Sequence, residues 1–226
     1  MTTQVTGLTV ERVAHNVERV REAIADACAR VGRDPAGVAL LAAVKYVPAE
    51  AIGVLAPAGL TLAGENRAQD LARKAPAHPE LTWDFIGHLQ SRKVRQVLPL
   101  VRLVHSVATD SVVRELGRYA AATGTAPRVL IEVNVAAEPG KAGVAPAELA
   151  DFLGRCREEG GAEVQGLMTM PPLASSPQAS RRWFAALAQL AADHGLPELS
   201  MGTTQDYPVA VEEGATIVRI GTSLYR

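Results

Sequence analysis

Long apolar runs are missing from this sequence: none approaches the roughly 18 residues of a membrane-spanning helix, and the N-terminal stretch MTTQVTGLTVERVAHNVERV lacks the basic patch and apolar core of an export signal. A cytoplasmic protein with no membrane partner is expected. Cysteine is nearly absent too. Cys28 and Cys156 stand alone in helical-looking stretches without metal-ligand spacing, which excludes a disulfide framework and leaves them to packing in a reducing compartment. Neither sign of charge is in excess: 23 Lys and Arg against 24 Asp and Glu give a net charge of −1. That excludes a nucleic-acid footprint and a polybasic surface, and leaves a small anionic ligand open. Internal repeats, low-complexity tracts and interdomain linkers are also missing.

What is present suits a single large domain over residues 1–226, with 48% hydrophobic and 21% charged residues. From Thr9 to Val31, apolar Val10, Val13, Val17, Val20, Ile24, Ala27 and Val31 recur at helical spacing and stop at Gly32, which predicts an N-terminal helix within residues 1–32. Strand and helix patterns then alternate. The strands are LLAAVKYV, LTLAGE, LTWDFIG, VRLVHSV, PRVLIEVNV, VQGLMTM, LSMGTT and ATIVRIGTSLY. The helices between them are AEAIGVLAPAG, NRAQDLARKAPA, SRKVRQVLPL, DSVVRELGRYAAATG, PAELADFLGRCREEGG, SPQASRRWFAALAQLAADHG and the short DYPVAVEEG. Alternation of this kind implies right-handed βαβ units, and eight strands suggest an α/β fold closed into a single (β/α)8 TIM barrel, with the N-terminal helix as an extra element. An open doubly wound sheet is disfavoured, because the first strand is followed by KYVPAE rather than a glycine-rich phosphate turn.

The chemistry of such barrels collects at the C-terminal strand ends, and the polar residues fall there. Lys45 ends the first strand, Asn66 follows the second, His88 follows the third and Ser106 ends the fourth. Asn134, then Met168 and Thr169, close the next two; Thr203 and Thr204 follow the seventh; Arg219, Gly221 and Thr222 close the last. Alternation puts Leu41, Ala43 and Lys45 on one face and Ile217, Arg219 and Gly221 on one face of a neighbouring strand. If both faces are lumenal, two cations point at the same space, which calls for an anion. The lysine has two readings: a strand end that snorkels to water, or a buried amine whose ammonium is disfavoured and which attacks a carbonyl. The Gly202-Thr203-Thr204 turn is ordinary turn chemistry, or a phosphate cradle together with Gly221 and Thr222. Read together, they point to a Schiff base with a phosphorylated aldehyde, either a sugar phosphate, as in an aldolase, or pyridoxal phosphate.

Eight ordered stretches then carry a resemblance: AVKYVPAEAI, GENRAQDL, WDFIGHLQSRKV, VHSV, EVNVAAEPGKAGV, GLMTM, LSMGTTQDYPVAVEEG and VRIGTSLY. Over nearly its whole length the chain resembles the pyridoxal phosphate homeostasis proteins. The resemblance implies a barrel like the N-terminal domain of alanine racemase, with pyridoxal 5'-phosphate carried as an internal aldimine on Lys45. It further implies that Thr204, Gly221 and Thr222 bind the phosphate, that Arg219 faces the pyridine nitrogen, and that Asn66, His88, Ser106 and Met201 line the pocket. One departure is Met201-Gly202-Thr203-Thr204-Gln205-Asp206 where the family commonly reads MGMS-x-D, so Thr203 replaces a methionine and Thr204 supplies the hydroxyl.

An arginine at the pyridine nitrogen weakens the cofactor as an electron sink. Racemisation needs a second base, and of Tyr46, Tyr119, Tyr207 and Tyr225 none is an obvious one; alternation points Tyr46 away from the lumen. The expectation is a carrier and homeostasis factor rather than an enzyme, with a low-activity amino-acid racemase as the alternative. Its partners are pyridoxal phosphate and, as candidate recipients, apoenzymes that use it. Met168, Met170 and Met201 read as packing, Arg92, Lys93 and Arg95 as a solvated helix face, and His88 as a helix cap before a substrate contact. Lys141 reads as a surface lysine, with a role in accepting or releasing the cofactor as the alternative. No apolar stripe marks an interface, so a monomer is expected.

Overall fold

A computed structural model describes residues 5–226; the first four residues, part of the stretch read for an export signal, lie outside it. Eight strands form a closed, all-parallel barrel in chain order: β1 (Ala39–Ala43), β2 (Leu62–Glu65), β3 (Thr82–Phe85), β4 (Leu103–Val107), β5 (Arg128–Glu132), β6 (Glu163–Met168), β7 (Glu198–Thr203) and β8 (Ile217–Ile220). The helices are α1 (Val10–Arg30), α2 (Ala68–Lys74), α3 (Val94–Val97), α4 (Asp110–Thr123), α5 (Leu149–Glu158), α6 (Arg181–Asp193), α7 (Tyr207–Glu212) and α8 (Thr222–Tyr225). Among the described residues no helix is long and apolar enough to cross a membrane.

The helix α1 starts where the Thr9 hydroxyl accepts from the Arg12 amide at 3.3 Å and ends before Gly32, whose φ of 68° lets the chain turn away. Its buried stripe of Val13, Val17, Val20, Ile24 and Ala27 packs on α7 and α8. There Asn16 donates to the Leu224 carbonyl at 3.2 Å and the Arg226 carbonyl at 2.8 Å. Because α7 and α8 are short, α1 completes the outer layer beside β8.

Strand alternation divides the core in two. One side packs Ala42, Ala63, Phe85, Val104, Ile131 and Val218 against the helices, and the lumen holds Leu41, Leu103, Leu130, Met168 and Ile217. The lumen tolerates little more at β2, where a Cβ on Gly64 would lie 2.4 Å from a Leu41 methyl.

Three expected elements differ. AEAIGVLAPAG forms a 3-10 stretch, Ala49–Val54, and turns rather than an α-helix, with Gly53 and Pro57 weakening the helical alternative. SRKVRQVLPL yields one α-helical turn, α3, between two 3-10 pieces, since Pro99 can neither donate a backbone bond nor fit a continuing helix. The last strand stops at Ile220, and Gly221, at φ −115° and ψ −90°, turns the chain into α8, so Tyr225 is helical.

Candidate functional site

A cavity of about 430 Å³ opens at the C-terminal end of the barrel, within the range of small-molecule sites. Its walls include Lys45, Tyr46, Asn66, His88, Thr203, Thr204, Arg219, Gly221, Thr222 and Tyr225. Eight of the ten residues singled out from the sequence therefore meet around one space or sit at its mouth. A hollow of about 670 Å³ at the opposite end, between α1 and the strand starts, is larger. It lies at the face where barrels keep stability rather than chemistry.

The other two expected residues stand back from the cavity. Met201 is fully buried in the outer core, because its neighbour Ser200 takes the lumenal face of β7. The buried Ser106 donates to the Gly87 carbonyl at 2.5 Å and so braces a wall residue instead of forming the wall. That wall is tight: a Cβ on Gly87 would sit 2.0 Å from the Asn66 carbonyl oxygen. Of the remaining strand-end residues, Asn134 belongs to the 134–144 loop, where its amide donates to the Glu138 carbonyl at 2.9 Å and its oxygen accepts the Glu138 amide at 3.1 Å. Lys141 pairs with Glu138 in that loop and is partly exposed.

Lys45 differs from its expected setting. β1 ends at Ala43, so the lysine sits two residues beyond the strand and is exposed. Of the two readings of this lysine, its exposure matches the strand end open to water and not the buried amine. Its ammonium lies 4.8 Å from the centre of the Tyr46 ring. Tyr46 lines the cavity rather than pointing away, since strict alternation lapses once the chain leaves the sheet.

The approach to Lys45 is fixed by a pair that sequence spacing gave no means to find. Lys74 of α2 and Glu65 of β2, 2% and 0% exposed, meet at 2.6 Å. The Lys74 ammonium also donates to the Val44 carbonyl at 2.8 Å, and Glu65 accepts the amides of Asn66 at 2.6 Å and Arg67 at 3.1 Å. One buried ion pair thus ties the residue before Lys45 to the turn that carries Asn66.

Arg219 is held differently. Its Nη1 donates to the Ser200 carbonyl at 2.9 Å and hydroxyl at 2.7 Å, and its Nη2 to the Thr169 carbonyl at 2.8 Å and the Met170 sulfur at 3.0 Å. Among the described residues these take four of its five N–H groups, leaving Nε–H as the free donor. Burial lowers its pKa to about 10, against the charges of Glu132 and Asp206. Glu132, half-buried at the end of β5, is pushed up by burial and pulled back by Arg219, His88 and Lys141.

At the end of β7, the amide and hydroxyl of Thr203 both donate to Asp206 Oδ1, at 2.8 and 3.2 Å, and so close the turn that leads into α7. Gly202 has φ 87°, and a Cβ there would lie 2.5 Å from Ala210, so only glycine fits. The Thr204 hydroxyl accepts the Gly221 amide at 3.2 Å and joins the β7 and β8 turns. Two buried polar atoms lining the cavity have no partner among the described residues, Asn66 Oδ1 and the Tyr225 hydroxyl. Burial, with Glu65 nearby, pushes the Tyr225 phenol up, so it stays a hydrogen-bond donor.

The sequence profile of the family described as alanine racemase, N-terminal domain, matches residues 8–226. The chain is 41% identical over 217 residues to the pyridoxal phosphate homeostasis protein of Aquifex aeolicus, covering 92% of this chain and 95% of that one. It is 33% identical over 223 residues to the protein of the same name from Escherichia coli K12, covering 94% and 95%. The structure of PipY from Synechococcus elongatus PCC7942, with PLP bound, superposes with a TM-score of 0.82 at 32% identity, covering 95% of this chain and 100% of that one. Alanine racemase from Corynebacterium glutamicum, at 19% identity and a TM-score of 0.71 over 100% of this chain and 63% of that one, shares the fold.

Proposed function

This chain belongs to the pyridoxal phosphate homeostasis proteins, on the fold of the alanine racemase N-terminal domain, and we propose that its cavity holds pyridoxal 5'-phosphate as a Schiff base on Lys45. The observation that carries this reading is the convergence of Lys45, Arg219 and the Thr204, Gly221 and Thr222 turns on one cavity. The residues fit the group. Two hydroxyls and the start of a helical turn suit a phosphate. The free Arg219 Nε–H is a donor for the pyridine nitrogen, and the partnerless Asn66 and Tyr225 atoms suit the polar edge of the ring. The exposed Lys45 amine is open to an incoming aldehyde: its nitrogen adds to the carbonyl carbon and the carbonyl oxygen leaves as water. Thr203 and His88 complete the mouth, while Ser106 and Met201 act through Gly87 and core packing.

The protein's own residues favour holding the cofactor over turning over substrates. Arg219 donates to the pyridine nitrogen and does not protonate it, so the bound group gains little as an electron sink. Tyr46 lies against Lys45, on the lysine's own side, and the Tyr225 phenol is driven away from the deprotonated form. Neither suits a second base. We read the protein as a cytosolic, monomeric reservoir from which apoenzymes take pyridoxal phosphate. The loaded protein, incubated with L-alanine and other amino acids, should give racemisation and decarboxylation no faster than free cofactor; clear turnover would replace this reading with the racemase.

A further inference from the structure

Across the lumen, four buried side chains form a continuous line from the floor of the barrel to the cavity. Arg102, at the floor, donates from Nε to Asp84 Oδ1 at 3.0 Å and from Nη2 to Oδ2 at 2.6 Å. Oδ2 also meets His105 Nε2 at 3.0 Å, His105 Nδ1 meets the Ser200 hydroxyl at 2.9 Å, and that hydroxyl accepts from Arg219 at 2.7 Å. Asp84, His105 and Ser200 are 0% exposed and Arg219 is 6% exposed. The residues come from β3, β4, β7 and β8, so no single sequence motif contains them.

Donor and acceptor counting allows one direction of hydrogen bonding. Burial pushes the Asp84 carboxyl up, but the bonds from His105 and Arg102 outweigh it and keep the group ionised, so it can only accept. His105 Nε2 therefore carries a proton. Burial holds the imidazole pKa below its usual range despite Asp84, so the ring is neutral and Nδ1 is an acceptor. The Ser200 hydrogen must point at Nδ1, which leaves its lone pairs for Arg219. The remaining partners of Arg219 are carbonyls and a thioether, so its charge is steered without direct contact to a carboxylate.

We infer that His105 is a positioning residue for the cofactor site: with Asp84 and Ser200 it fixes the direction of the Arg219 guanidinium while holding the Asp84 carboxylate three hydrogen bonds away from it. A direct Asp84 to Arg219 pair would cancel much of the field that the arginine presents to the cavity; an apolar residue at 105 would free the Ser200 hydroxyl to rotate. The inference rests on the proposed cofactor site, deepening it by naming what sets its electrostatics.

The test uses the full chain loaded with pyridoxal phosphate, as wild type, Ser200→Ala, His105→Leu and, as reference, Arg219→Met. Three quantities are measured: the mass of the borohydride-fixed adduct, the cofactor Kd, and the absorbance of the bound cofactor across pH. Ser200→Ala removes one hydroxyl and keeps the carbonyl contact, so it reports even where His105→Leu destabilises the fold. Loss of a hydrogen bond to a charged group weakens binding about tenfold or more. Both variants should show that loss, with the pH titration of the band displaced in the same direction as in Arg219→Met. Wild-type Kd and titration in Ser200→Ala and His105→Leu, beside a normal wild-type adduct, would overturn the relay alone and make it a packing device, whatever stability the variants lose. No adduct in the wild type would remove the cofactor reading and this inference with it.

Discussion

Lys45 and Arg219 rise from neighbouring strands, Leu41 pairing in register with Arg219, yet the two cations are held in opposite ways. Arg219 is buried, with four N–H groups committed to the barrel wall. Lys45 is exposed on a turn beyond its strand, its ammonium resting on an aromatic face. The difference follows from what each would do. A group that forms and releases a covalent bond has to reach, lose a proton and move, whereas one that acts through its field has to keep its charge and direction. The fixity around Lys45 is displaced into the backbone beneath it, where the Lys74 and Glu65 pair grips Val44 and the Asn66 turn.

The sharpest way to break this contrast is at the lysine itself. Lys45→Ala should abolish the absorbance band of the bound cofactor and the borohydride-fixed mass; persistence of either would mean another amine holds it. Next in size is the pair beneath. Lys74→Met leaves Glu65 buried without its cation and should cost about 3–5 kcal/mol in urea unfolding, the usual penalty for a broken buried pair. Arg30→Ala, which removes an exposed partner of Glu212, should cost under about 1 kcal/mol.

The lumenal line should make stability acid-sensitive. His105, with its folded pKa held below 6.5, binds fewer protons folded than unfolded, so its contribution is complete above pH 6.5 and declines as pH falls below that value. Asp84, lowered from 3.8, has the same sign, its contribution present above 3.8 and lost as pH falls through its folded value. The unfolding temperature should therefore drop in two stages on acidification, and His105→Gln should lack the upper stage. Smaller still, Thr204→Ala removes the acceptor of the Gly221 amide and should cost about 1 kcal/mol in stability, alongside weaker retention of phosphate-bearing ligands; Thr204→Ser should restore both. Least affected should be Lys141→Ala, which breaks only a half-exposed pair and should leave loading within about twofold. Slower delivery to an apoenzyme in that variant, with loading intact, would assign Lys141 to transfer.

Much of this arrangement was legible in the chain. Alternation placed Leu41, Ile217 and Arg219 on the lumenal face, because inside the sheet a period of two is enforced by the pleat. The same rule failed for Tyr46, where the pleat has ended; Tyr225, read as part of the last strand, is instead helical, because Gly221 turns the chain there, and it lines the cavity. Asp84, His105 and Ser200 did leave a signal, as polar residues set inside largely apolar strands, and burial of such groups demands partners. Which partners was not readable, since they come from three different strands.

The sequence by itself therefore determined the α/β rhythm, the strand ends that carry polar residues, and the kind of chemistry a lysine beside hydroxyl-bearing turns can support. These depend on local periodicity and on residue type, both of which are properties of short stretches. Only the tertiary structure decided that Lys45 stands exposed while Arg219 is locked, that Lys74 braces the turn before Lys45, and that a histidine on the fourth strand steers an arginine on the eighth. Those outcomes depend on closure of the barrel, which brings distant side chains within hydrogen-bond reach and removes the water that would otherwise satisfy them.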